Sequence, residues 1–105
     1  AMRVPVANGS VVDLTCALKK EASAEEINKA MKAASEGRMK GILEYTEDDV
    51  VSIDFNHYPA SATLDSKMTK VIGGNFSKVI AWYDNEWGYS MRVVDLIEYM
   101  IKKGL

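Results

Sequence analysis

The stretch from Trp82 to Ser90 carries the residue types in this chain that are best suited to chemistry. It places two carboxylates, an amide and several large aromatic rings within nine residues, Trp82-Tyr83-Asp84-Asn85-Glu86-Trp87-Gly88-Tyr89-Ser90. The segment joins an apolar strand to an amphipathic helix, and ligands commonly meet a sheet at such strand ends. Two interpretations stay open at this point. The corner contacts a ligand, or it is a structural corner filled by aromatics and capped by Asp84 or Asn85.

A single cysteine and a single histidine invite another interpretation, a thiol nucleophile with an imidazole base. Cys16 lies on the apolar phase of a predicted strand, which favours a buried and inert thiol. His57 lies in a turn with Pro59, where we expect a solvated or locally hydrogen-bonded imidazole. Neither residue is favoured as catalytic. The sequence also contains no phosphate-binding glycine loop and no cluster of metal ligands.

Composition sets the class of protein. The 105 residues suffice for one domain or a piece of one, and 48% apolar with 27% charged residues is ordinary for a globular protein. The net charge of -2 comes from interspersed acids and bases, so neither nucleic acid nor an anionic membrane is expected as a partner. One cysteine excludes an internal disulfide and favours a cytoplasmic protein. Because Ala1 to Pro5 run almost directly into a strand, we expect a cut inside a larger protein.

Two helices are predicted, one well before the segment from Trp82 to Ser90 and one directly after it. Ser23 and Glu26 form a capping box that begins the first helix, and Gly37 is expected as its left-handed C-terminal stop. The second helix spans about 88–103 and follows the corner directly. Its apolar stripe consists of Val93, Leu96, Ile97, Met100 and Ile101.

Apolar alternation and apolar runs predict strands over 11–19, 42–46, 50–55, 62–65, 70–72 and 78–83. In the first strand, Val12, Leu14 and Cys16 fall on one side, which we expect to be buried. The order β-α-β-β-β-β-α predicts an α+β fold, with a largely antiparallel sheet and helices on one face.

The stretch 83–90 resembles the Tyr-Asp-Asn-Glu-aromatic-Gly-Tyr-Ser signature of the glyceraldehyde-3-phosphate dehydrogenase family. Arg3-Val4-Pro5, followed by Val11-Val12-Asp13-Leu14, resembles that family's Arg-Val-Pro…Val-Val-Asp-Leu strand. The resemblance continues in the family's order and spacing over essentially all 105 residues. Its further motifs are Ala34-Ser35-Glu36-Gly37, Lys40-Gly41-Ile42-Leu43, Tyr45-Thr46-Glu47, Asp54-Phe55-Asn56 and Arg92-Val93-Val94-Asp95-Leu96.

The resemblance implies that residues 1–105 form the C-terminal portion of a catalytic domain, with the N-terminal Rossmann domain outside this chain. Arg3 then matches an arginine that binds anionic phosphate, and Asn85 matches an asparagine that fixes the nicotinamide carboxamide of NAD. Tyr89 matches a tyrosine beside the nicotinamide. The family's nucleophile and base lie upstream of this chain, so no catalytic residue and no metal ligand is assigned here.

The implied reaction is the glycolytic conversion of glyceraldehyde 3-phosphate, NAD and inorganic phosphate to 1,3-bisphosphoglycerate and NADH. The implied partners are the Rossmann portion of the same enzyme and further copies of it, in a cytoplasmic homotetramer. The isolated piece is expected to be inactive. Without the Rossmann domain the apolar stripe of the last helix should be exposed, so we expect the piece to associate.

Two alternatives remain. The related erythrose-4-phosphate dehydrogenase would share most motifs, although Tyr83 and the Gly88-Tyr89-Ser90 ending favour glyceraldehyde 3-phosphate. A non-catalytic α+β binding or assembly module would fold alone and bind a partner, but neither NAD nor triose phosphate.

Overall fold

A four-stranded mixed sheet organises the chain in a computed structural model that describes residues 2–105. Its strands are β1 (Ser10–Ala17), β2 (Leu43–Thr46), β3 (Ala62–Ile72) and β4 (Phe76–Tyr83). They lie in the order β1-β4-β3-β2, and β4 pairs antiparallel with both of its neighbours while β2 and β3 are parallel. The helices are α1 (Ala24–Glu36) and α2 (Trp87–Lys102). The predicted α+β class and the largely antiparallel sheet are confirmed.

The capping box predicted for α1 is present. The Ser23 hydroxyl accepts from the Glu26 N–H at 3.1 Å, and the Ser23 N–H donates to the Glu26 carboxylate at 2.8 Å. Gly37 ends α1 as predicted, but the left-handed conformation expected there was wrong, because its φ is -112° and the chain after α1 first reaches a left-handed residue at Gly41, with φ 78°. A Cβ at Gly37 would nevertheless lie 2.9 Å from the Ala33 carbonyl oxygen, so close backbone approach still favours glycine there.

The predicted strand over 50–55 was also wrong, since Ser52–Phe55 forms a 3-10 turn. The Asp54 carboxylate accepts from the Val51 N–H at 2.8 Å, and such a local bond competes with a strand ladder. Phe55 turns inward, is 5% exposed, and stacks on Trp82 with ring centroids 5.9 Å apart. The two weak strand predictions over 62–65 and 70–72 merge into the single strand β3, with a register shift between Asp65 and Lys70.

The core lies where α1 covers β2 and β3. Leu43 and Leu64 are buried there, and Asn28 of α1 donates to the Ser66 carbonyl of β3 at 2.9 Å. The same sheet face continues onto β1, where Val12 is 41% and Leu14 49% exposed. The expectation of a buried face on β1 was therefore wrong for the described chain, because α1 packs on β2 and β3, at the other edge of the sheet. Among residues 2–105 no helix is long and apolar enough to cross a membrane.

Candidate functional site

The carboxylate of Asp84, directly after β4, is the centre of the corner. The residue is fully buried, with 0% exposure. One oxygen accepts from the Asn8 amide at 2.9 Å and from the His57 N–H at 2.7 Å. The other accepts from the N–H groups of Glu86 and Trp87, both at 2.8 Å. One side chain therefore joins the N-terminal segment, the turn after the 3-10 segment, and the first turn of α2.

These donors also keep the carboxylate ionised. Burial would raise the pKa of the Asp84 carboxyl, but the N–H groups of His57, Trp87 and Glu86 and the amide of Asn8 outweigh it and lower the pKa from 3.8 to about 2. Donors of this kind bind the charged form of a carboxyl group. Asp84 is therefore a fixed negative charge at neutral pH, at the positive end of α2.

The carboxamide of Asn85 is held on one side only. Its Oδ1 accepts from the Gly9 N–H and from the Ser10 hydroxyl, each at 3.2 Å. Gly9 has φ 106°, and a Cβ at this residue would lie 3.1 Å from the Ser52 Cβ. Both the backbone conformation of Gly9 and its close contact with Ser52 therefore require glycine. Asn85 is exposed, and within residues 2–105 its Nδ2 makes no hydrogen bond, so it can donate to a ligand.

Arg3 lines a cleft of about 220 Å³ between the N-terminal segment and the paired ends of β1 and β4. Its side chain is exposed, and no carboxylate of residues 2–105 forms an ion pair with it. A guanidinium in this state presents its fork of donors to an anion from outside the chain. Ser10 also lines this cleft, which places Arg3 and Asn85 on the same margin of the sheet.

The first turn of α2 places Tyr89 on the surface, where it is 76% exposed. Gly88 fixes the entry of the helix, since a Cβ at this residue would lie 3.0 Å from the Ala60 carbonyl oxygen. Trp87, 43% exposed, packs against the His57 ring at a centroid distance of 4.9 Å. Exposed aromatic rings within four residues of the Asn85 amide in the chain are suited to a planar, polar ligand.

Cys16 and His57 lie apart. Cys16 is six residues along β1 from Ser10, about 20 Å away, and its thiol contacts the Ser77 hydroxyl at 3.2 Å. His57 joins the corner through its backbone, in a left-handed conformation with φ 60°, and its ring is exposed. Within residues 2–105 no group of three or more His, Cys, Asp or Glu side chains is arranged to hold a metal ion.

Three residues of the corner were not identified as site residues from the sequence. Asn8 reaches Asp84 across 76 positions, and Gly9 and Ser10 reach Asn85 across similar separations. Local pattern contains no signal for such contacts. The antiparallel pairing that opposes Ser10 to Tyr83 is what creates them.

The later turns of α2 carry apolar side chains that are exposed. Val93 is 39%, Ile97 52% and Ile101 67% exposed, so the apolar stripe of the helix faces away from the described core, as expected. These residues do not contribute to the corner around Asp84.

Sequence comparisons with known proteins show which family the chain resembles. A sequence model of the family described as glyceraldehyde 3-phosphate dehydrogenase, C-terminal domain, matches residues 1–85. Glyceraldehyde-3-phosphate dehydrogenase 1 of Bacillus cereus is 58% identical over 105 residues, the whole of this chain and 31% of that relative. The Geobacillus stearothermophilus enzyme is 56% identical over the same length, and the Neurospora crassa enzyme 57% identical over 102 residues, 97% of this chain.

The chain thus spans about a third of the length of the curated relatives it matches, 31% for the two bacterial enzymes. The family match covers well over half of the chain and includes both Arg3 and Asn85. On this evidence the chain belongs to the C-terminal domain family of glyceraldehyde 3-phosphate dehydrogenase.

Proposed function

We propose that this chain forms the C-terminal portion of the catalytic domain of an NAD-dependent, phosphorylating glyceraldehyde-3-phosphate dehydrogenase of glycolysis. The observation that carries the proposal is the contact of the Asn85 Oδ1 with the Gly9 N–H and the Ser10 hydroxyl, because Gly9 and Ser10 also line the cleft to which Arg3 belongs. The whole enzyme would oxidise glyceraldehyde 3-phosphate with NAD and inorganic phosphate, as a cytoplasmic homotetramer. Its Rossmann portion would be the immediate partner of this chain.

Arg3 is assigned to phosphate. Its exposed guanidinium can form two parallel hydrogen bonds to phosphate oxygens, and these bonds are charge-assisted. It holds the anion in the cleft beside β1 and thereby orients the substrate relative to the cofactor.

Asn85 and Tyr89 are assigned to the nicotinamide. When bound, NAD supplies the hydride acceptor. The Asn85 Nδ2 donates to the carboxamide of the ring and so selects the ring face that is presented to the substrate, while Tyr89 limits the position of the ring. The free donor on Asn85 and the 76% exposed Tyr89 ring fit a planar ligand with a polar substituent. No proton or nucleophile is assigned to this chain.

The test is a chimera that joins this chain to the N-terminal part of the Bacillus cereus relative that the chain does not cover. We expect the chimera to produce NADH from glyceraldehyde 3-phosphate, NAD and phosphate, and the 105 residues alone to be inactive. Faster turnover of erythrose 4-phosphate would assign the alternative sugar phosphate. A folded chimera that reduces no NAD with either substrate would favour a non-catalytic module.

Variants of the chimera test each residue. Arg3→Ala should lower kcat/KM for the triose phosphate about 10-fold to 100-fold, because charge-assisted hydrogen bonds are lost. Arg3→Lys keeps the charge and isolates the contribution of the forked guanidinium geometry.

Asn85→Asp keeps an acceptor for Gly9 and Ser10 but removes the donor, and should raise KM for NAD. Lys102→Ala, on an exposed turn of α2, serves as the control.

A further inference from the structure

Asn8 is the only asparagine of the chain that precedes a glycine. The other four are followed by larger residues, in the pairs Asn28-Lys29, Asn56-His57, Asn75-Phe76 and Asn85-Glu86. A glycine leaves its backbone nitrogen open to the preceding side chain, because it carries no Cβ. The Asn8 amide is therefore the one least shielded from attack by the next backbone nitrogen.

The fold brings these two groups together. The Gly9 N–H donates to Oδ1 of Asn8 at 2.8 Å, so the Gly9 nitrogen lies close to Cγ, the carbon bonded to that oxygen. The same N–H has a longer contact of 3.2 Å with Oδ1 of Asn85. Asn8 and Gly9 are only half-buried, so water reaches both. Such proximity lowers the entropic cost of a reaction between neighbouring groups of one chain.

The reaction that this arrangement permits is deamidation. Solvent base removes the proton from the Gly9 nitrogen, which forms a bond to Cγ of Asn8. The bond between Cγ and Nδ2 then breaks, and the amide nitrogen takes a proton from solvent and leaves as ammonia. Water opens the cyclic imide at Cγ to give aspartate, or at the main-chain carbonyl to give isoaspartate. One water is consumed and one ammonia released, with no oxidation or reduction.

Neither product preserves the contact that Asn8 makes in the corner. Nδ2 of Asn8 donates to the buried Asp84 carboxylate at 2.9 Å. An ionised aspartate has no donor to offer, and it would place a second negative charge beside Asp84, whose pKa is lowered to about 2 and which is therefore charged at neutral pH. Isoaspartate would lengthen the backbone just before Ser10, which pairs with Tyr83 at the start of β1.

We propose that Asn8 is a deamidation site, and that its conversion separates the N-terminal segment, which carries Arg3, from the Asp84 corner. The modification needs no reactant besides water, and the departure of ammonia makes it irreversible. The inference goes beyond the proposed function and does not depend on it, because it concerns a contact between two segments of this chain.

The first experiment locates the modification in the unsubstituted 105-residue chain. The chain is incubated in neutral and in mildly alkaline buffer until one asparagine has converted, and peptide mass mapping finds the mass gain of an amide that has become a carboxyl group. We expect the gain at Asn8 before any other asparagine, at a rate that rises with pH. Asn8→Ser keeps a donor for Asp84 but has no amide, and should show no early gain. Conversion of another asparagine before Asn8, or a rate that does not rise with pH, would overturn the inference.

The second experiment measures what the conversion does to the fold. Asn8→Asp reproduces the aspartate product and should lower the midpoint of urea unfolding. Asn75→Asp adds the same charge on the exposed turn between β3 and β4 and should leave the midpoint nearly unchanged. If Asn8→Asp does not fold, the converted fraction of the unsubstituted chain, separated by its additional negative charge, should show the lower midpoint instead. A midpoint equal to that of Asn75→Asp, in the variant or in the converted fraction, would overturn the separation of the N-terminal segment from Asp84.

Discussion

The two ends of α2 differ in what holds them. Over the first two turns, Asp84 accepts from the N–H groups of Glu86 and Trp87, Gly88 packs on the Ala60 carbonyl, and Arg92 donates to the Gly41 carbonyl at 3.1 Å. Over the later turns, apolar residues face outward, and Ile97 is 52% and Ile101 67% exposed. The beginning of the helix is thus determined by polar contacts within this chain, whereas its apolar stripe buries little surface here. We therefore expect substitutions at the first turn to cost far more stability than substitutions along the stripe.

The largest expected effect is that of Asp84→Ala on folding. The variant leaves the donors of Asn8, His57 and Trp87 without their acceptor, and each of these partly buried hydrogen bonds to a charged group contributes about 1.5–3 kcal/mol. We expect the free energy of unfolding to fall by about 3 kcal/mol or more in urea titrations. Asp13→Ala is the matched control, since Asp13 forms a partly exposed ion pair with Lys78 worth about 0–1 kcal/mol. Equal losses in the two variants would contradict the central role of Asp84.

Whether a contact at either end of α2 or elsewhere in the fold could be predicted from the sequence depends on how far apart its residues lie in the chain. The capping box of Ser23 and Glu26 and the start of α2 are local, and both predictions were close to the structure. The strand predicted over 50–55 was wrong because the local bond between Asp54 and Val51 outweighed the alternation of apolar residues. The contact between Asn8 and Asp84 spans 76 positions and depends on the pairing of β1 with β4.

The candidate site was predictable in part. Arg3, Asn85 and Tyr89 were selected through family resemblance, and their roles stay predictions. Spacing alone could not show that Gly9 and Ser10 donate to Oδ1 of Asn85 and that its NH₂ group has no partner within residues 2–105, because that requires the folded geometry. Exposure of Val12 and Leu14 on β1 was not predictable either, since apolar alternation indicates a buried face without stating what covers it.

A smaller effect is expected from protonation of Asp84. Its pKa is lowered from 3.8 to about 2, so its stabilising contribution is complete above about pH 4 and is lost as the pH falls toward 2. The difference in unfolding free energy between the unsubstituted chain and Asp84→Asn should therefore shrink over that window. Urea titrations at several pH values measure it, with Asp13→Asn as the control. A difference that stays constant from about pH 5 to pH 2 would contradict the assignment.

Gly88→Ala tests the steric part of the first turn. The added Cβ would lie 3.0 Å from the Ala60 carbonyl oxygen, a backbone atom that cannot rotate away. We expect a loss of about 1–3 kcal/mol, the usual cost of overpacking. Gly104→Ala is the matched control at the other end of α2, where φ is 79° and a Cβ meets nothing within 4 Å. Its cost should not exceed about 1–2 kcal/mol, the cost of holding a non-glycine residue in the left-handed region. A Gly88→Ala variant no less stable than Gly104→Ala would show that helix entry is not sterically fixed.

The smallest effect on stability, but a clear one on association, is expected from Ile97→Glu. Ile97 is 52% exposed, so its replacement should change the unfolding free energy of the monomer by no more than about 0.5 kcal/mol. The exposed stripe should nevertheless drive association of the 105-residue chain, which light scattering at micromolar concentration would detect as a mass above that of the monomer. A carboxylate in the middle of the stripe should return the mass toward the monomer. Lys102→Gln changes the net charge by the same amount at an exposed position of the same helix and should not affect the mass. A monomeric unsubstituted chain would mean that the apolar stripe does not drive association of the 105 residues, and the contrast between the two ends of α2 would then concern stability alone.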